Sequence, residues 1–173
     1  MNPETYRIPM DTAHKILATF GITRPTRAYE RWVKDDGFDL SDFGEVLFES
    51  SFVFIIDWRA WLQEELDTIR ASLGQLDVQL TLDLDDDGES GNVACDERRA
   101  AVAYRPNDES DFDDVIRGIQ SAVPENIEFR ASPCNGGSDT MVYAVLPADE
   151  WDDLENTARD VVNYFFVPLS KKA

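Results

Sequence analysis

The chain has 173 residues, 43% hydrophobic and 11% aromatic, with 35 acids against 16 bases and a formal charge of −19. That length and apolar content suit one domain with its own core and exclude global disorder, while two cysteines, Cys95 and Cys134, exclude a disulfide framework and read as reduced thiols in a cytoplasmic protein. The charge argues against free nucleic acid and anionic membranes as ligands of the body of the molecule, and fits either fast capture of a basic protein partner or a solvated acidic surface such as suits a salty cytoplasm; charge alone does not separate the two.

The charge is uneven. Residues 1–34 hold six bases and three acids, for +3, and residues 35–173 hold ten bases and 32 acids, for −22. Asp35-Asp36-Gly37 breaks the pattern between them. The expected organisation is therefore a basic helical arm over 1–37 and an acidic domain over 38–173. No leader peptide and no membrane span are expected: no basic start precedes an apolar run, and the run 52–56 is far too short for a bilayer.

In chain order, Asp11 reads as the cap of a first helix, with Ile16, Leu17 and Phe20 on one face and Gly21 as its stop. A second short helix fits 24–34, with Thr23 as cap and Arg24, Arg27, Arg31 and Lys34 on one side. Residues 38–43 read as loop, and 52–56 as a buried strand. Asp57 reads as the cap of a helix over 58–73 whose stripe is Trp58, Trp61, Leu62, Leu66, Ile69 and Leu73, which makes both tryptophans core anchors. Val78, Leu80, Leu82 and Leu84 alternate with polar residues as a half-buried strand. After the polar loop 85–91, residues 92–95 and 100–104 fit either one bulged strand or two. Ser110 reads as the cap of a helix with Phe112, Val115, Ile116, Ile119 and Val123 on its stripe. Strands over 127–131 and 141–146 follow, then a last helix carrying Trp151, Leu154, Ala158, Val161 and Phe165.

The segments 77–123 and 127–165 read as one strand-strand-helix unit written twice. Their closest match is acid, aromatic, Asp, Asp, aliphatic at 111–115 and again at 150–154. Short connections imply antiparallel pairing, and one apolar stripe per helix implies helices on one side of a sheet. The expected fold is α+β: a single antiparallel sheet with helices packed on one face, two repeats and the N-terminal arm. Phe112 and Trp151 are then expected to be buried on the same sheet face.

Two motifs carry resemblances. Asp83-Leu84-Asp85-Asp86-Asp87-Gly88 resembles the first half of an EF-hand calcium loop, with acids at positions 1, 3 and 5 and glycine at 6; position 12 is Ala94 where a bidentate Glu belongs, so no metal or other cofactor is expected. Residues 12–34 resemble the helix-turn-helix of small bacterial regulators, on Ala18-Thr19-Phe20-Gly21-Ile22-Thr23-Arg24-Pro25-Thr26 and then Tyr29, Arg31 and Trp32. That resemblance implies DNA contacts by Thr23, Arg24, Thr26, Arg27 and Arg31, although Arg27 stands where the motif has an aliphatic residue. The competing reading docks the arginine face on the protein's own acids, or on a second subunit in a homodimer.

Catalysis is not expected. His14 has no nucleophile near it in sequence, no phosphate-binding glycine pattern occurs, and Cys134 has no adjoining base to lower its pKa. The leading expectation is a non-enzymatic acidic binding module, in character resembling immunity or antitoxin proteins that block basic toxins. The residues expected to meet the partner are Asp85, Asp86, Asp87 and Glu89 in the first loop, and Glu109, Asp113 and Asp114 at a helix start. Four acids in five residues repel one another and call for a cation or a basic partner. The alternative is a DNA-binding regulator using 12–34.

Overall fold

A computed structural model describes residues 6–23, 38–106, 111–133 and 140–169. The described elements, in order, are β1 (Arg7–Ile8), α1 (Met10–Thr19), β2 (Phe38–Asp39), α2 (Leu40–Leu47), β3 (Val53–Asp57), α3 (Leu62–Gly74), β4 (Thr81–Leu84), β5 (Ser90–Cys95), β6 (Arg98–Ala103), α4 (Phe112–Ala122), β7 (Ile127–Ala131), β8 (Thr140–Pro147), α5 (Ala148–Phe165) and β9 (Val167–Pro168). The second arm helix expected over 24–34 lies outside the described residues.

The class is α+β, but the expected single sheet is overturned. The described strands form three antiparallel sheets: four strands in the order β3-β8-β7-β9, three in the order β4-β5-β6, and the pair β1-β2. Helices cover both faces of the four-stranded sheet. The physical reason lies in β8, where Met141–Leu146 is apolar at every position, the pattern of a strand buried on both sides. Tyr143 and Val145 enter a core shared with Phe54, Ile56, Phe129, α3, α4 and the three-stranded sheet. Val142, Ala144 and Leu146 enter a second core with Val53, α1, α2 and α5. The segment 6–23 adds Ile8, Ala13, Ile16, Leu17 and Phe20 to that second core.

The repeat fails at the same place. Phe112 and Trp151 are both fully buried, but in different cores on opposite faces of the sheet. β7 and β8 are direct neighbours, whereas their counterparts β4 and β6 are separated by β5. The open question over 92–104 resolves as two strands turned by Asp96-Glu97, with Asp96 at φ 52. α4 lies close on β6: a Cβ on Gly118 would come within 3.0 Å of Val102 Cγ1.

Several local expectations need correction. Residues 38–43 are β2 and the start of α2, an eight-residue helix capped by Asp39, whose carboxylate accepts the Asp42 N–H at 2.8 Å. α2 approaches α5 so closely that a Cβ on Gly44 would sit 2.9 Å from Phe165 Cε1. Pro9, not Asp11, occupies the cap position of α1, and Asp11 lies in its first turn. α3 begins at Leu62 rather than Trp58, with Trp61 at its cap position. Asp111, rather than Ser110, caps α4 by accepting the Asp113 N–H at 3.0 Å.

Candidate functional site

One end of the fold gathers the C-terminal ends of β3 and β6, the β4–β5 turn and the first turns of α3 and α4. Tyr104 joins these parts. Its backbone N–H donates to Glu89 O at 2.8 Å, and its hydroxyl donates to Trp58 O at 2.6 Å. Its ring meets the Phe112 ring edge-on at 4.9 Å between centroids. The base of the acidic hairpin, the Trp58 loop and the start of α4 therefore share one residue. Burial, reinforced by the Glu65, Asp57 and Asp111 charges, pushes the Tyr104 phenol pKa up and keeps it a neutral donor.

The hairpin tip is built from its own acids. Asp85 N–H donates to Ser90 O at 2.8 Å, and Ser90 Oγ donates to Asp85 Oδ2 at 2.6 Å. Asp87 Oδ1 accepts the Glu89 N–H at 3.0 Å. Glu89 pairs with Arg105 at 2.9 Å. Gly91 stands opposite Leu84 at φ 154, where a Cβ would lie 2.3 Å from Asp83 O, so only glycine closes this turn. Part of the repulsion among these acids is thus answered locally, which corrects the expectation that nothing within the fold rewards them. Asp85, Asp86 and Asp87 remain exposed, and Glu89 is half-buried.

At the start of α4 the acids are also engaged. Asp113 accepts the Tyr143 hydroxyl at 2.6 Å and meets Arg117 at 3.4 Å, and Asp114 pairs with Arg117 at 2.6 Å. Burial, then the bond to Asp113, drives the Tyr143 phenol pKa far upward, so it too acts as a neutral donor. Glu109 lies outside the described residues, as do Arg24, Thr26, Arg27 and Arg31 of the DNA-binding alternative. Thr23 is described, and is exposed.

The feature that sequence reasoning misplaced is the loop 57–61. Trp61 is 52% exposed and Trp58 only half-buried, against the expectation of two core anchors. Glu65, Thr68 and Ser72 stand four, seven and eleven residues after Trp61, but Glu65 and Ser72 are buried, so that polar row marks no wet face; Trp61 is exposed because the helix begins only after it. Arg59 bends back to place its guanidinium 5.5 Å from the Trp58 ring centroid and 3.7 Å from Asp57. Glu65, on α3, is buried and accepts the Asp57 N–H at 3.1 Å. Burial is the main cause raising its pKa, with the Asp57 and Glu64 charges adding to it against that hydrogen bond. The hairpin tip reaches the first turn of α3, since a Cβ on Gly88 would lie 3.9 Å from Gln63 Oε1.

Groups for chemistry are dispersed. His14 is exposed on α1, while Cys95 is buried, with burial raising its thiol pKa. Among the described residues, no three of His, Cys, Asp and Glu converge as a metal-ligand set. Nor is any helix among them long and apolar enough to cross a membrane. No protein-family model, curated protein or solved structure matches the chain.

Proposed function

We propose that this end of the fold binds a basic protein, and that the chain is a non-enzymatic acidic binding module. The observation that carries the reading is Trp61, which stands 52% exposed at the α3 cap, two residues before Gln63, the side chain that the tip of a hairpin with three exposed aspartates approaches. A tryptophan left in water forgoes burial, and buried tryptophans are the side chains that most often dominate binding energy once a partner covers them. The surrounding acids add steering: they accelerate encounter with a basic surface and discriminate against acidic ones. The division of labour is then an aromatic anchor at the centre and carboxylates at the rim. An immunity- or antitoxin-type inhibitor of a basic toxin is the specific form of this reading.

The test is affinity capture with the full chain, with Trp61→Ala, and with Asp85, Asp86 and Asp87 all replaced by Asn. Wild type should retain a protein of high isoelectric point. The Asn variant should capture it more slowly at low salt, and the difference should shrink as salt screens charges beyond about 8 Å. Trp61→Ala should lose it at all salt concentrations. Equal retention by all three proteins, or retention of duplex DNA in place of protein, would overturn the reading.

A further inference from the structure

We propose that the outer edge of β3 takes an extended basic segment of the partner as an added antiparallel strand, with Ile55 as the apolar contact. The inference rests on the acidic-end reading above and adds the manner of docking. β3 is a terminal strand of its sheet, paired only with β8 among the described residues. Val145 N–H donates to Phe52 O at 3.0 Å, so the alternation of an antiparallel ladder turns the backbone groups of Phe52, Phe54 and Ile56 toward β8. Those of Val53, Ile55 and Asp57 turn outward.

Most of these outward groups are already answered. Val53 N–H donates to Ser50 O at 3.1 Å, Asp57 N–H donates to Glu65 Oε1 at 3.1 Å, and Asp57 O accepts the Ala60 N–H at 2.9 Å. Among the described residues nothing answers the Val53 carbonyl or either backbone group of Ile55, so there the edge is open at its centre and closed at both ends. Proteins usually blunt such an edge along its whole length with charge, proline or a bulge. Here the central side chain is an isoleucine, 48% exposed.

The occupant follows from charge. A second copy of the chain would bring another −19 to the same edge. A basic segment would instead meet the acidic hairpin whose tip lies against the first turn of α3, and Asp57 within the strand, whose exposed carboxylate pairs with Arg59 at 3.7 Å until a second cation joins it. Every described strand pairing in the molecule is antiparallel, and an incoming segment of alternating cationic and β-branched residues fits that geometry.

The experiment uses the full chain and a short synthetic peptide of alternating Lys and Val, compared with the same peptide N-methylated at every residue. The two carry the same charges and side chains, and only the first can add to a sheet. The unmethylated peptide should bind at least about tenfold tighter, the scale of two or three backbone hydrogen bonds. Its binding should also slow hydrogen exchange at the Ile55 amide. Ile55→Pro removes the outward donor and should abolish the preference; the exchange readout on wild type stands even where that variant folds poorly. Equal binding of the two peptides with unchanged Ile55 exchange, both weakened by Trp61→Ala, would remove strand addition and leave the acidic-end reading intact. Binding of neither peptide would overturn both. Protection of Ile55 that grows with protein concentration and without peptide would make a second copy the occupant, and would overturn the proposal.

Discussion

The two faces of the four-stranded sheet are covered by different chemistry. The face under α1, α2 and α5 is closed by interlocked rings: Phe20 lies 5.7 Å from Trp151 and 5.6 Å from Phe166, and Phe43 lies 5.6 Å from Phe165. Its one buried charge among the described residues, Arg130, stacks 4.5 Å over Trp151 and is paired with Glu128 at 2.7 Å and Glu155 at 2.6 Å. The face under α3 and α4 is apolar at its centre but ends in polar bridges, Tyr104 to Trp58 and Tyr143 to Asp113, with Glu65 behind them. The difference teaches where to look for function. Ring packing that satisfies every group serves stability, while buried hydroxyls and a carboxyl of raised pKa at a rim hold exposed side chains in place.

The strongest way to break this comparison is to ask whether the two cores are separate. Trp151→Ala and Phe112→Ala should each cost about 3–5 kcal/mol in urea unfolding. Trp151→Ala also strips Arg130 of its ring and leaves Glu128 O without the indole N–H, now at 3.0 Å. The milder pair, Trp151→Phe and Phe112→Leu, should add to within about 0.5 kcal/mol, because sites on opposite faces share no neighbours. Strong coupling would mean one continuous core. Trp151→Phe, on the far face from the proposed binding end, should leave partner capture unchanged.

A smaller effect sharpens the ring-packed side. Gly44→Ala gains helix propensity of about 1 kcal/mol, but drives a methyl against the Phe165 ring, a clash that costs about 1–3 kcal/mol in a packed core. Net destabilisation is expected, and Phe165→Leu in the same chain should recover part of it. Smaller again, Tyr143→Phe should cost about 1 kcal/mol, the net worth of its bond to Asp113, since Arg117 still answers that carboxylate.

What the sequence revealed follows the same division. The α4 stripe, the α5 stripe and the alternation around Leu80 were legible because period and burial agree. The placement of α5 was not. Trp151 and Phe112 sit in near-identical local motifs, and local pattern carries no information about which face of a sheet a helix will cover. The apolar run 141–146 held the missing clue, since a strand with one wet face alternates and this one does not. α2 was hidden by its brevity and by Gly44, which reads as a loop residue until Phe165 is seen against it. At the site, the acids were found by composition, but Trp61 was lost by extending a helix one turn too early. Ile55 lies within a run that reads as wholly buried, and only the sheet order reveals it at an open edge.

The last and subtlest test concerns Glu65, which closes one end of that edge from the polar side. Its carboxyl pKa is raised above the ordinary value of 4.5, chiefly by burial. The folded chain therefore keeps this proton at pH values where the unfolded chain has released it. The stability this group contributes is full below the unfolded pKa and declines as pH rises through the higher native one. Glu65→Gln retains an acceptor for the Asp57 N–H and removes the titration. It should match wild type in acid, and become the more stable of the two as pH climbs through that window, with Trp61-dependent capture unchanged. Urea midpoints across the acid range measure the difference. If wild type instead gains stability relative to the Gln variant as pH rises, the ionised carboxylate is favoured in the fold. The bond to Asp57 would then outweigh the burial, and the polar rim would be a stabilising device, as the ring-packed face is.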